Sequence, residues 1–242
     1  MDETFCRLAR VIGADALERL KNAHVVLFGV GGVGGFAAEA LARSGVGEIT
    51  LIDGDDVARS NINRQVIALN STIGRSKVEV ARERLLDINP NMRVNALQQV
   101  FLPGGEVPFG KDVSYVIDAI DTVAAKVELV RVCREMDVPL ISCMGTGNKL
   151  DPTLLRVSDI FSTEVCPLCR VMRHELRKRG IDRLKVVYSP EPPRTPIDDG
   201  EQAQASRRSV PGSTMFVPPV AGIMLAREVV LSILGDALAD AR

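Results

Sequence analysis

The chain reads as an α/β protein built on a Rossmann-like, doubly wound, mainly parallel sheet with a C-terminal elaboration. Three observations predict this. The apolar run Val25-Val26-Leu27-Phe28 leads into Gly29-Val30-Gly31-Gly32-Val33-Gly34, after which Phe36 to Ala42 reads as a helix. Asp53 closes the next apolar run, Ile49 to Ile52. A dinucleotide-type fold places its ribose-binding acid there, about 20 residues beyond the glycine turn. Further apolar runs alternate with helical stretches as far as Cys143, the mark of βαβ units and parallel strands. Glycines in such a turn let the backbone approach phosphates, and the helix start offers free N–H groups.

Length and composition narrow the class. At 242 residues, with 46% hydrophobic and 25% charged side chains, the chain is expected to form one soluble domain over residues 1–242. Its parts are an N-terminal helical arm (1–23), a nucleotide-binding core (24–147) and an elaboration (148–242) with a mobile loop over 189–212. A net charge of -1 excludes a global attraction to nucleic acid, so any such contact must come from a local patch. The acidic start Met1-Asp2-Glu3-Thr4 lacks the apolar core of a signal peptide. Val217 to Leu234 is apolar but interrupted by Arg227 and Glu228, and is expected to be a core helix, with no membrane partner. Five cysteines, an odd number, suggest free thiols and a cytoplasmic location.

The elements follow in order. Asp15 to Asn22 is a short helix, preceded by the basic stretch Phe5 to Arg10. Gly54 to Asn61 is a polar loop, and Gly74-Arg75-Ser76-Lys77 opens an amphipathic helix that must end before Asn89-Pro90. Met92 to Gln98 is a third strand and Ser114 to Asp118 a buried fourth. Thr122 to Met136 is a helix, Pro139 to Cys143 a fifth strand, and Leu154 to Val157 a further one. Cys166 to Gly180 is helical with Pro167 in its first turn, and Leu184 to Tyr188 is the last strand.

A dehydrogenase of this fold needs only the glycine turn and the ribose acid, and this sequence carries more. Asn61, Arg64 and Lys77 stand at loop or helix-start positions where they could converge on a polyphosphate. Asp121 is carried to the C-terminal edge of the sheet, placed to hold Mg²⁺, which prefers one or two carboxylates plus phosphate oxygens. Fixed cations and a carboxylate for Mg²⁺ suit attack on a triphosphate, because they stabilise the charge that develops on the leaving pyrophosphate.

The run Gly29-x-Gly31-Gly32-x-Gly34, Asp53-Gly54-Asp55, Asn61-x-x-Arg64-Gln65, Lys77 and Asp118-x-x-Asp121 resembles the ubiquitin-activating-type adenylating enzymes. These include the bacterial activators of small sulfur carriers, and the match runs to about Gly147. The resemblance implies a homodimer that binds ATP and Mg²⁺ and joins AMP to a carboxylate. It assigns Asp53 to the ribose, Asn61, Arg64 and Lys77 to the phosphates and Asp121 to Mg²⁺. Gly29, Gly31, Gly32, Gly34, Asp55 and Gln65 complete the nucleotide-binding set. Arg7 matches an N-terminal arginine that reaches the partner's ATP, with Arg10 as the alternative register.

Within that family the match is with the branch that acts on threonylcarbamoyladenosine in tRNA. It includes Ala37 to Gly47, Asp118 to Thr122, Gly145 to Pro152 and Lys185 to Ser189. That resemblance implies adenylation of the threonylcarbamoyl carboxylate, then displacement of AMP from within the same side chain and net loss of water. The alternative is activation of the C-terminal carboxylate of a sulfur-carrier protein, and a sulfur-relay protein stays open as a further partner. Sulfur-carrier activators typically hold zinc with two Cys-x-x-Cys pairs. Here only Cys166-Pro167-Leu168-Cys169 exists, and Gly212-Ser213-Thr214-Met215 has no cysteine. Two cysteines cannot complete a four-ligand site alone, so zinc is not expected, while redox handling and plain structural thiols stay open. The basic run from Arg170 to Lys185 is either a solvated helix face or a phosphate-contacting patch for tRNA, with Arg170, Arg173, Arg177 and Lys178 as candidates and Arg207 and Arg208 as additions.

Overall fold

The computed structural model describes residues 3–197 and 211–235. Two short helices, α1 (Cys6–Ile12) and α2 (Ala14–Lys21), break at Gly13 and lead into β1 (His24–Phe28). There follow α3 (Gly34–Arg43), β2 (Glu48–Ile52), α4 (Lys77–Ile88), β3 (Arg93–Leu97), β4 (Tyr115–Asp118), α5 (Val123–Met136) and β5 (Leu140–Cys143). The elaboration adds β6 (Arg156–Asp159), α6 (Pro167–Arg177), β7 (Lys185–Tyr188) and α7 (Val217–Leu234).

The seven strands form one sheet in the order β3-β2-β1-β4-β5-β7-β6. All neighbours are parallel except β6 and β7. The chain winds outward from β1 in both directions, so the loops after β1 and β4 part there and leave a crevice at their C-terminal ends. Both faces are covered, which is why the strands read as unbroken apolar runs. Alternate residues of β1 serve different cores: Val25 and Leu27 pack with α3, α4 and α7, whereas Val26 and Phe28 pack with Leu129 and Cys133 of α5.

The sheet as far as β5 follows the sequence reading, and α4 stops at Asn89, before Pro90, as expected. The strand expected at Leu154 to Val157 is displaced to Arg156–Asp159. Residues Pro152–Leu154 form a single 3₁₀ turn instead, begun by Asp151, whose Oδ1 accepts the Thr153 N–H at 2.8 Å. Pro152, with its φ preset near the helical value, holds that turn.

Residues 198–210, with Arg207 and Arg208, lie outside the described residues. The first residues of the loop expected to be mobile make hydrogen bonds to the segment that follows β5. Buried Lys149 donates to the Ser189 carbonyl at 2.7 Å, and the Glu191 carboxylate accepts the N–H groups of Leu150 and Asp151. Helix α7 is 18 residues long with a mean hydropathy of 1.7, enough by length and composition to cross a membrane, but 56% of it is buried inside the fold.

Candidate active site

A cleft of about 720 Å³ opens at the C-terminal ends of β1, β2, β4 and β5. Ten of the residues singled out from the sequence line it: Gly29, Gly31, Gly32, Asp53, Asp55, Asn61, Arg64, Gln65, Lys77 and Asp121. Gly34 does not. A Cβ there would strike the Gly29 carbonyl, so this glycine lets α3 start tight against the turn. Gly29 itself has φ 89°, and a Cβ on it would lie 2.7 Å from the Ala119 carbonyl. The turn after β1 is thus pressed onto the loop after β4.

Asp53 is nearly buried and already organised. Its Oδ2 accepts the Val30 N–H at 2.7 Å and its Oδ1 the Asp55 N–H at 2.9 Å, which ties the end of β2 to the glycine turn. Lys77, the first residue of α4, is also buried; its Nζ lies 2.7 Å from Asp55 Oδ2 and 3.9 Å from Asp53 Oδ1. Asn61 caps its own turn, its Oδ1 accepting the Ala58 N–H at 3.0 Å. Arg64 donates to the Ser60 carbonyl and to Asn63 Oδ1, and its backbone packs on Gly32. Asp121 is exposed at the cleft and accepts a hydrogen bond from Thr122 Oγ1 at 3.3 Å. Gln65 Oε1 is buried with no hydrogen-bond partner among the described residues, an acceptor open to a ligand donor.

Sequence reasoning missed three features. The first is a fully buried trio beneath the cleft. Asp118 Oδ2 accepts from Lys126 Nζ at 2.9 Å and from Ser142 Oγ at 2.5 Å, while its Oδ1 accepts the Ile120 N–H at 3.1 Å. Lys126 has the look of an ordinary helix-surface lysine, and only packing brings β4, α5 and β5 together around it. The second is an apolar flank, Val100 and Leu102, both exposed beside Asp53 and Gly54. The third is a neutral wall, Met144 to Gly147 with Gly212 and Ser213, opposite the charged half.

A profile of the ThiF family matches residues 5–241. The chain belongs to the ThiF family. It is 44% identical over 241 residues to the tRNA threonylcarbamoyladenosine dehydratase of Bacillus subtilis, covering 96% of this chain and 95% of that one. Identity to the Escherichia coli protein of the same name is 40% over 210 residues, 82% of this chain and 77% of that one. The crystal structure of E. coli tRNA N6-threonylcarbamoyladenosine dehydratase in complex with ATP superposes with a TM-score of 0.83 at 34% identity, covering 99% and 95% of the two chains.

Other expected site residues of this ThiF-family chain are not gathered at the cleft. Arg7 and Arg10 are exposed on α1 and do not line it. Most of the cations expected on α6 have partners within the fold. Arg173 donates to the carbonyls of Ile160 and Thr163 and to Thr163 Oγ1, so it serves as a staple rather than a free phosphate contact. Arg177 stacks over Phe161 at 5.2 Å, and Lys178 pairs with Glu175 at 2.8 Å. Arg170 is exposed one turn beyond the start of α6 and does not line the cleft.

Cys166 and Cys169 are both buried, and Cys166 precedes the first turn of α6. Donation from the Cys169 thiol, with further help from the Cys169 and Gly145 N–H groups and the Lys149 ammonium, holds the Cys166 thiol well below its usual pKa. The same shared bond, together with burial, pushes Cys169 up.

Proposed function

We propose that this chain adenylates the threonylcarbamoyl carboxylate of N6-threonylcarbamoyladenosine in tRNA and then closes it into a ring with net loss of water. The observation that carries this reading is the meeting of Asp53, Arg64, Lys77 and Asp121 in one cleft, in a chain related over almost its full length to enzymes named for that nucleoside. The substrate carboxylate attacks the α-phosphorus of ATP and pyrophosphate leaves. A nucleophile within the same side chain then attacks the acyl carbon and AMP leaves, a step favoured because both groups are already held together.

Each residue has a task in this chemistry. Asp53, fixed by two backbone donors, keeps its remaining lone pairs for the ribose hydroxyls. The exposed apolar pair Val100 and Leu102 stands beside it, where the adenine would lie. Lys77 and Arg64 face the phosphates; a buried cation acts at low local dielectric, so its effect on the charge gathering on pyrophosphate is large. Asp121 is the exposed carboxylate suited to Mg²⁺. The described residues contain no cluster of three or more metal-binding side chains, so this ion would share its shell with phosphate oxygens, as Mg²⁺ prefers. When bound, the ion would neutralise phosphate charge. The reading also includes a homodimer in the cytoplasm, with the exposed Arg7 offered to a second copy's nucleotide and the exposed Arg170 of α6 offered to a tRNA phosphate.

ATP–pyrophosphate exchange, measured with and without threonylcarbamoyl-modified tRNA and followed by mass analysis of the nucleoside, tests the reading. Exchange that needs the modified tRNA, with a product lighter by one water, is expected. Exchange supported only by a small carrier protein with a free C-terminal carboxylate would overturn it.

A further inference from the structure

One residue, Asn148, ties the neutral wall of the cleft to distant parts of the chain. Asn148 has φ 59°, the left-handed region that asparagine tolerates better than most residues. In that conformation it makes three hydrogen bonds to two distant stretches of chain. Its N–H donates to the Gly212 carbonyl at 2.8 Å, and its Oδ1 accepts the Gly212 N–H at 2.7 Å. Its own carbonyl accepts the Arg194 N–H at 2.8 Å. Beside it, a Cβ on Gly147 would come within 3.0 Å of the Pro211 Cβ and 3.4 Å of the Gly212 carbonyl oxygen, so the two segments pack closely. Asn63 Nδ2 extends the set by donating to the Ser213 carbonyl at 2.9 Å, which joins this wall to the loop carrying Arg64.

The two halves of the cleft differ in chemistry. Asp53, Asp55, Arg64 and Lys77 crowd one half and suit a ribose and a polyphosphate. The stretches Met144 to Gly147 and Gly212 to Ser213 bring no ionised side chain to the other, only the hydroxyls of Thr146 and Ser213, apolar groups and backbone N–H and C=O groups. Such a surface matches the edge and face of an uncharged base, which reads backbone donors and acceptors, and repels nothing in it. Asp121 stands on a further stretch of lining between β4 and α5.

We propose that Asn148 is a positioning residue for the nucleoside of the tRNA substrate, fixing the neutral wall on which the modified base rests while its carboxylate faces the α-phosphate. This rests on the function proposed above. Asn148 does not itself line the cleft; it acts through Gly212 and the segment that follows Gly145.

The variants Asn148→Gly and Asn148→Asp separate backbone from side chain. Glycine keeps the left-handed conformation and loses the Oδ1 acceptor, whereas aspartate tolerates that conformation and keeps an acceptor for the Gly212 N–H. For Asn148→Gly, losing one hydrogen bond to the wall is expected to raise KM for threonylcarbamoyl-modified tRNA roughly five- to tenfold with kcat at saturation nearly intact. Direct titration with ATP, without tRNA, is expected to show unchanged affinity. Asn148→Asp restores the acceptor but adds a charge, so its KM is expected to fall below that of Asn148→Gly once salt screens that charge. A normal KM in Asn148→Gly, a KM in Asn148→Asp no lower than in Asn148→Gly at the same raised salt, or an equal loss of ATP affinity would overturn the assignment. Parent enzyme inactive on modified tRNA would instead overturn the functional reading beneath it.

Discussion

At the scale of single residues, position in the cleft sets the size of an effect. In the proposed reaction Lys77 and Arg64 would face a charge that grows only as pyrophosphate leaves, so replacing either with methionine is expected to lower kcat for exchange by roughly 10²- to 10³-fold. ATP affinity measured separately should fall far less, and an equal loss in both would assign these cations to ground-state binding. The buried trio behaves differently. Lys126→Met would strand the Asp118 carboxylate without its cation and is expected to cost about 3–5 kcal/mol in denaturant unfolding. Adding Asp118→Leu should recover much of that, because the pair's desolvation cost disappears along with its attraction. A double variant no more stable than Lys126→Met would show that the attraction outweighs that cost. The charged residues that line the cleft were legible in the sequence because they stand at strand ends, turns or helix starts in a fixed order. Lys126 and Asn148 were not, since their partners are brought to them by packing.

At the scale of elements, α6 shows how charge spacing misleads. Its run of cations reads as either a solvated face or a surface for phosphate, whereas Arg173 is used to hold the turn at Ile160 to Thr163, and Lys178 and Arg179 share Glu175. The Glu175 pairings have the helical i, i+3 and i, i+4 spacing visible in the sequence; the tie from Arg173 to Thr163 depends on where the preceding turn folds back. Arg173→Ala is therefore expected to lower stability by about 1–3 kcal/mol, leaving carbonyls short of a donor. Arg170→Glu should leave the unfolding midpoint in place but weaken tRNA binding and reduce its salt slope by about one. Unaltered tRNA affinity would remove Arg170 from the interface. The start of the same helix carries a pH dependence. Cys166 loses its proton more readily in the folded chain than at the ordinary thiol value of 9.0, so its contribution to stability is complete above that value and fades as pH falls through the folded pKa. The difference in unfolding midpoint between the parent protein and Cys166→Ser should accordingly widen from acid pH toward 9.0. A constant difference would mean that both thiols are protonated throughout.

At the scale of the whole molecule, the doubly wound sheet and its crevice were predictable from alternation alone, whereas the return of the chain through α7 was legible only as apolar content. Helix α7 crosses close to the start of α3: a Cβ on Gly222 would overlap the Val33 carbonyl, and Val217, Ala221, Leu225 and Val229 are buried in the same core as β1 and β2. Its first turn also reaches the cleft, where Pro218 lies against Gly32. The last helix therefore belongs to the first βαβ unit in space, though it is nearly the most distant part of the chain in sequence. Together with the pinning of Arg194 and Gly212 at Asn148, this means that the described ends of the connection between β7 and α7 are held by contacts other than the chain that joins them. Two polypeptides, one ending near Ile197 and the other starting near Pro211, should find each other and reassemble a working cleft when expressed together, making this fold a candidate for fragment complementation.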